Sequence, residues 1–196
     1  MACENLKKCE RETFNCSNCG QCVKGPVDPF RPNPIFSEYM PVKICPMHEN
    51  REMLTYSANG MNVMGRAILE GKLEVTQDVL DAFYQCALCG HCETNCGEVF
   101  HWIHTFLGKD IGEAVKTTDV VKAARADFMA MGCELPDSYK KVVEPIAKAH
   151  NRFGVDQAKK TVWLPKGIKP TEGADLLFFV GCVGSFRNKE IAQSFV

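Results

Sequence analysis

Two copies of one short cysteine pattern constrain this chain more than any hydrophobic periodicity does. Cys16, Cys19 and Cys22 lie in CSNCGQC, and Cys86, Cys89 and Cys92 lie in CALCGHC. Each cysteine of the second copy stands 70 residues after its counterpart, and Gly90 stands 70 after Gly20. Three thiolates at i, i+3 and i+6 on a curled loop can each reach a different iron of one cubane. A glycine after the second cysteine frees φ and removes a side chain where backbone must come close. Backbone N–H groups of such a loop can then face the sulfurs and help set a reduction potential.

A cubane held by three cysteines needs a fourth from elsewhere. In two-cluster ferredoxins the run is C-x2-C-x2-C-x3-C-P, and its last cysteine serves the other cluster. Here Cys96 follows Cys92 after three residues, with Gly97 where proline is usual. The first repeat has no cysteine at that spacing, and its candidate is Cys45, followed by Pro46 in KICPMHE. The ferredoxin rule therefore predicts two crossed sets: Cys16, Cys19, Cys22 and Cys96 on one [4Fe–4S] cluster, and Cys86, Cys89, Cys92 and Cys45 on the other. Zinc is the competing occupant, since paired C-x2-C motifs can supply its four thiolates. Zinc, however, has no use for eight cysteines in two repeats of three plus one. The remaining thiols, Cys3, Cys9, Cys133 and Cys182, have no partner motif.

Composition excludes several other classes. The chain has 196 residues, 12 cysteines, and a formal net charge of −1. That balance provides no basic field for nucleic acid. No apolar run approaches the roughly 18 residues that cross a bilayer. The start, MACENLKKCERETFNC, has no apolar core of a secretory signal. Reduced cytosolic thiols acting as ligands fit better than disulfides. The expected location is cytoplasmic, peripheral on the inner face of a membrane only through partners.

The rest of the chain reads as mostly α. Residues 26–46 hold six prolines and predict an extended, irregular insertion between the third and fourth ligands of the first motif. Ser57 and Thr76 are candidate N-caps of helices over 57–70 and 76–87. A helix is expected after Cys96, another from an Asp119 cap to Met131, and another over 138–150 with a kink at Pro145. His101 and His104 share a face of the first of these, and His91 lies within the second cysteine loop. Residues 151–173, with Gly154, Pro165, Gly167, Pro170 and Gly173, read as a linker. ADLLFFVGC then predicts a buried parallel strand, with SFRNKEIAQSFV opening the helix after it.

With these motifs in hand, the chain resembles the iron–sulfur subunits of the heterodisulfide reductase D / glycerol-3-phosphate dehydrogenase C / glycolate oxidase iron–sulfur subunit superfamily. CSNCGQC with Cys45-Pro46, and YSANGMNVMGRAILEGKLEVTQDVLDAFYQCALCGHCETNC, resemble its helical ferredoxin domain. LLFFVGCVGSF resembles the opening of its cysteine-rich module, where Gly-Cys ends the first strand. The resemblance implies a helical two-cluster ferredoxin domain over 1–150, a linker over 151–173, and over 174–196 the first βα unit of an incomplete α/β module. In that family the module supplies paired cysteines for a special cluster. Here only Cys182 stands in it, so that chemistry is not carried over.

The expected function is one-electron relay through two [4Fe–4S] clusters inside a multi-subunit oxidoreductase, with flavin, quinone or thiol/disulfide chemistry on other subunits. No nucleophile–base pair and no Gly-rich phosphate loop is visible. Two alternatives stand beside it: part of a catalytic reductase subunit whose active-site half lies outside this chain, and a zinc-stabilised interaction module.

Overall fold

The computed structural model describes residues 3–24, 45–108, 112–169, 171, 173 and 175–196. The proline-rich insertion, apart from Cys45 and Pro46, lies outside the described residues. Two compact units divide the chain, Met1–Glu134 and Leu135–Val196.

The first unit is helical. Helices α1 (Glu4–Lys7) and α2 (Glu10–Asn15) precede the first cysteine loop, and α3 (Gln21–Lys24) follows it. Then come α4 (Pro46–Arg51), a 3-10 turn (Leu54–Tyr56), α5 (Ala58–Leu69), α6 (Gln77–Tyr84), α7 (His91–Leu107) and α8 (Thr117–Ala130). Ser57 and Thr76 cap as expected: Gly60 N–H donates to the Ser57 hydroxyl at 3.1 Å, and Val79 N–H donates to that of Thr76. Each such cap stabilises by about 1 kcal/mol.

Helical spacing of apolar residues on α5, α6 and α8 builds one core. Leu6, Met61, Leu80, Phe83, Val120, Val121, Ala124 and Phe128 are fully buried in it. The Phe83 and Phe128 rings meet edge to face with centroids 5.4 Å apart. Burial of such side chains contributes about 1.5–3 kcal/mol each. Short α1 is anchored from far along the chain. The buried Asp127 carboxylate on α8 accepts from Asn5 N–H at 3.1 Å, Asn5 Nδ2 at 2.8 Å and Leu6 N–H at 2.8 Å.

Two helix starts differ from expectation. The helix expected after Cys96 begins at His91, so it contains Cys92 and Cys96. The helix expected from Asp119 begins at Thr117, with Asp119 in its first turn.

The second unit contains α9 (Asp137–Ala149), a 3-10 turn (Gln157–Thr161), a single π-type turn (Val183–Arg187) and α10 (Lys189–Gln193). Helix α9 runs on through Pro145. The buried Asn151 side chain closes the turn after α9, donating to Ala149 and Val155 carbonyls and accepting from Phe153 and Val155 N–H. Trp163, Phe178 and Phe195 pack together, Phe178 and Phe195 stacked at 4.1 Å.

The expected βα unit is not formed. Among the described residues there is no strand, and residues 176–180 have no regular structure. Leu176, Leu177 and Phe179 are 91, 95 and 87% exposed. A strand exists only as part of a ladder, because its N–H and C=O groups must pair with a neighbour, and none of the described segments pairs with this one.

Candidate metal centre

The two cysteine loops are copies in backbone as well as in sequence. Asn18 (φ 57°) and Leu88 (φ 53°) are left-handed, and so are Gly20 (φ 77°) and Gly90 (φ 75°), each again 70 residues from its counterpart. Each loop ends at its glycine, and a helix starts at the next residue: α3 at Gln21, α7 at His91. The third cysteine of each motif thus lies in a first helical turn, while the first two precede it. In α7, Cys96 follows Cys92 by four residues and shares its face. Asn95 Nδ2 donates to the Gln21 carbonyl and ties α7 to α3.

Two cavities open beside these loops. One, of about 20 Å³, is lined by Cys45, Cys86, Cys89 and Cys92, with Gly90, Ala58, Thr117 and Thr118. The other, of about 320 Å³, is lined by Cys16, Cys19, Cys22 and Cys96, with Asn59, Asn62, Phe100 and Val115. Cys92 and Thr117 border both. Every cysteine of the two repeats, together with Cys45 and Cys96, therefore lines a cavity. Cys19 and Cys89 are exposed; the others are partly buried.

Polar groups favour the thiolates: the backbone N–H groups of Asn59, Leu88 and Val115 act on Cys22, Cys86 and Cys96, and the Thr117 hydroxyl acts on Cys92. Thr117 also accepts from Asn62 Nδ2 at 3.0 Å. Glu93 accepts from Thr118 N–H at 2.6 Å, which caps the start of α8 next to the first cavity.

Burial pushes the Cys22 thiol up to about 12, and neighbouring Cys16, Cys19 and Cys45 add to it against the Asn59 N–H. Burial likewise pushes Cys92 up to about 12, helped by Glu93, Cys22 and Cys86 and opposed by Thr117. Cys86 and Cys96 are raised, again chiefly by burial. Crowded, buried thiols such as these become thiolates when a metal supplies the positive charge.

The donor set fits a cubane. The smaller cavity is lined by four thiols and the larger by five, Cys92 lining both. At Gly20 and Gly90, where a side chain would project, no atom lies within 4 Å. Among the described residues no three His, Cys, Asp or Glu side chains close on a single metal ion. The larger cavity has room for a cluster, and the smaller has room for about one water. His91, His101 and His104 are exposed. Cys3 and Cys9, packed against α8, are raised by burial and line neither cavity. What local pattern did not reveal were the donors Asn59, Val115 and Thr117, which reach the sulfurs from distant parts of the chain.

Residues 12–98 match the 4Fe-4S dicluster domain family. Over 185 residues the chain is 24% identical to the D component of dihydromethanophenazine:CoB–CoM heterodisulfide reductase from Methanosarcina acetivorans, covering 92% of this chain and 40% of that one. The same component from Methanosarcina mazei is 23% identical over 185 residues, with the same coverage. The chain is similar to these heterodisulfide reductase D components and carries a 4Fe-4S dicluster match. It spans about 40% of the length of these curated relatives. No solved structure matches it. The cofactor class that goes with the matched domain is the [4Fe–4S] cluster. Among the described residues no helix is long and apolar enough to cross a membrane.

Proposed function

We propose that this chain relays single electrons through two [4Fe–4S] clusters within a multi-subunit oxidoreductase of heterodisulfide-reductase-like type. Cys16, Cys19, Cys22 and Cys96 hold one cluster; Cys45, Cys86, Cys89 and Cys92 hold the other. The observation that supports this reading is that Cys45 lines the cavity of Cys86, Cys89 and Cys92 while Cys96 lines that of Cys16, Cys19 and Cys22, with Cys92 lining both. The dicluster match over 12–98 supports the number two. The clusters supply reversible one-electron chemistry when bound. Cys92 and Thr117 line both cavities, and Cys19 and Cys89 would be the exposed ligands. The organic redox step belongs to partners reacting with a flavin, a quinone or a thiol/disulfide centre.

Anaerobically prepared protein should be brown and hold about eight irons and eight labile sulfides, four of each per cluster. One tightly bound zinc with no sulfide would show instead a zinc-stabilised interaction module.

The 40% coverage of the relatives favours a second reading, in which the chain is the cluster-bearing portion of a catalytic reductase subunit. On either reading the candidate ligands all lie within the unit Met1–Glu134. The proposed location is cytoplasmic, with any membrane contact made by partners.

A further inference from the structure

We propose that Asn62 is a hydrogen-bond donor to the cluster of Cys16, Cys19, Cys22 and Cys96: its side-chain amide, held at one end by Thr117, gives an N–H to a sulfur of that cluster. The inference rests on the two-cluster reading given above.

Asn62 lies on α5 and is 2% exposed, in a helix whose other buried residues are apolar or glycine. Asparagine is a poorer helix former than a leucine or methionine in its place. A buried carboxamide belongs in a core only when its oxygen and its nitrogen are both paired. Here one end is paired. Nδ2 donates to the Thr117 hydroxyl at 3.0 Å, 55 residues along the chain. Oδ1 is buried and has no partner among the described residues. Asn62 lines the larger cavity with Cys16, Cys19, Cys22 and Cys96. Gln21 lines the same cavity and carries a second buried, unpaired carboxamide oxygen. Among the described residues lining the smaller cavity there is no such side-chain oxygen.

The chemistry of the cavity decides which end of the amide faces it. Ligand thiols give up their protons on loading, so thiolate and sulfide sulfurs offer acceptors only. An amide oxygen gains nothing from them; an amide N–H does. Thr117 imposes no choice, because a hydroxyl both donates and accepts. Half a turn about Cβ–Cγ, a broad and roughly two-fold torsion, exchanges the two ends. The Thr117 hydroxyl then turns from the Cys92 sulfur, now bonded to iron, and donates to Oδ1, while Nδ2 donates to a cluster sulfur. Two hydrogen bonds stand before and after, and the buried oxygen is no longer open. A donor on a sulfur favours the more negative, reduced cluster.

The test is pulsed electron paramagnetic resonance of the complete, anaerobically purified chain in its reduced state. The chain carries asparagine labelled with 15N at the side-chain amide, and each variant is also followed by mediated redox titration. Asn15, Asn18 and Asn59 line the same cavity, so wild type is compared with Asn62→Leu. The expected result is a 15N coupling in wild type that is lost in Asn62→Leu, with a fall of one midpoint and no movement of the other. Cys19→Ser, which alters a ligand of the same cluster, identifies the midpoint concerned by shifting or abolishing it. If Asn62→Leu does not load, Asn62→Asp replaces it. That change keeps the shape and an oxygen for Thr117 to donate to but removes the N–H, so the coupling must again be lost. Absence of a 15N coupling in wild type, as when a water stands between amide and sulfur, would overturn the role of Asn62. So would a coupling that persists in the variant, unmoved midpoints in Asn62→Leu, movement of the other cluster's midpoint, or failure of both variants to load, which marks a purely structural residue. Each of these leaves the two-cluster reading intact; absence of any cluster signal in wild type would remove both.

Discussion

At Gly60 a single hydrogen in place of a methyl decides how the site is built. A Cβ there would collide with the carbonyl oxygens of Leu54 and Thr55. The turn that delivers Ser57 and Asn59 to the start of α5 therefore requires glycine, although glycine weakens a helix by its own propensity. Gly60→Ala should cost about 1–3 kcal/mol, read as a lower denaturation midpoint, and should loosen the loop of Cys22, whose sulfur Asn59 contacts. The thiols give a second prediction for the metal-free chain. The folded pKa of Cys22 is raised from 9.0 to about 12 by burial. Stability from keeping it neutral is complete below about pH 9 and is lost as pH rises toward 12, because the unfolded chain gives up the proton first. Metal-free protein should lose stability across that window in pH-dependent denaturation. Cluster-loaded protein should lack this loss, its ligands having already given up their protons. The cysteine repeat was legible because ligand spacing is local. The left-handed backbone at Leu88 was not, since leucine carries no preference for it; only the register with Asn18 in the other copy marks the position.

Among the elements, local patterns located the helices while distant contacts set several of their ends. Ser57 and Thr76 lie next to the N–H groups they cap, so sequence spacing was enough to find them. Helix α8 starts two residues before Asp119 because Glu93, on α7, accepts from Thr118 N–H. No reading of neighbours could supply that bond. Helix α7 starts at His91 because left-handed Gly90 turns the ligand loop directly into helix. A loop-only reading of the cysteine motif therefore placed its start too late. The same kind of long-range cap holds α1. Asp127→Ala should cost about 1.5–3 kcal/mol by releasing the Asn5 and Leu6 N–H groups, with iron and sulfide content unchanged. Equal stability by denaturant titration would show that α1 does not depend on this carboxylate.

For the molecule as a whole, the expected mostly α architecture follows from the apolar faces of α5, α6 and α8. The expected strand is missing because a ladder needs a second segment, which periodicity within one segment cannot reveal. The bare apolar side chains of Leu176, Leu177 and Phe179 are the consequence. A relay also needs an external donor and acceptor. The isolated chain should accept electrons from a strong artificial reductant and turn over no small organic substrate without added subunits; robust turnover by the chain alone would contradict a pure relay. The central claim is the crossing of the fourth ligands between two cubanes. Iron-edge anomalous diffraction from anaerobic crystals of the loaded chain tests it most directly. The account predicts two four-iron sites, with Cys96 beside Cys16, Cys19 and Cys22, and Cys45 beside Cys86, Cys89 and Cys92. Cys96 bonded to the same cluster as Cys92, or a single zinc in place of the irons, would contradict it.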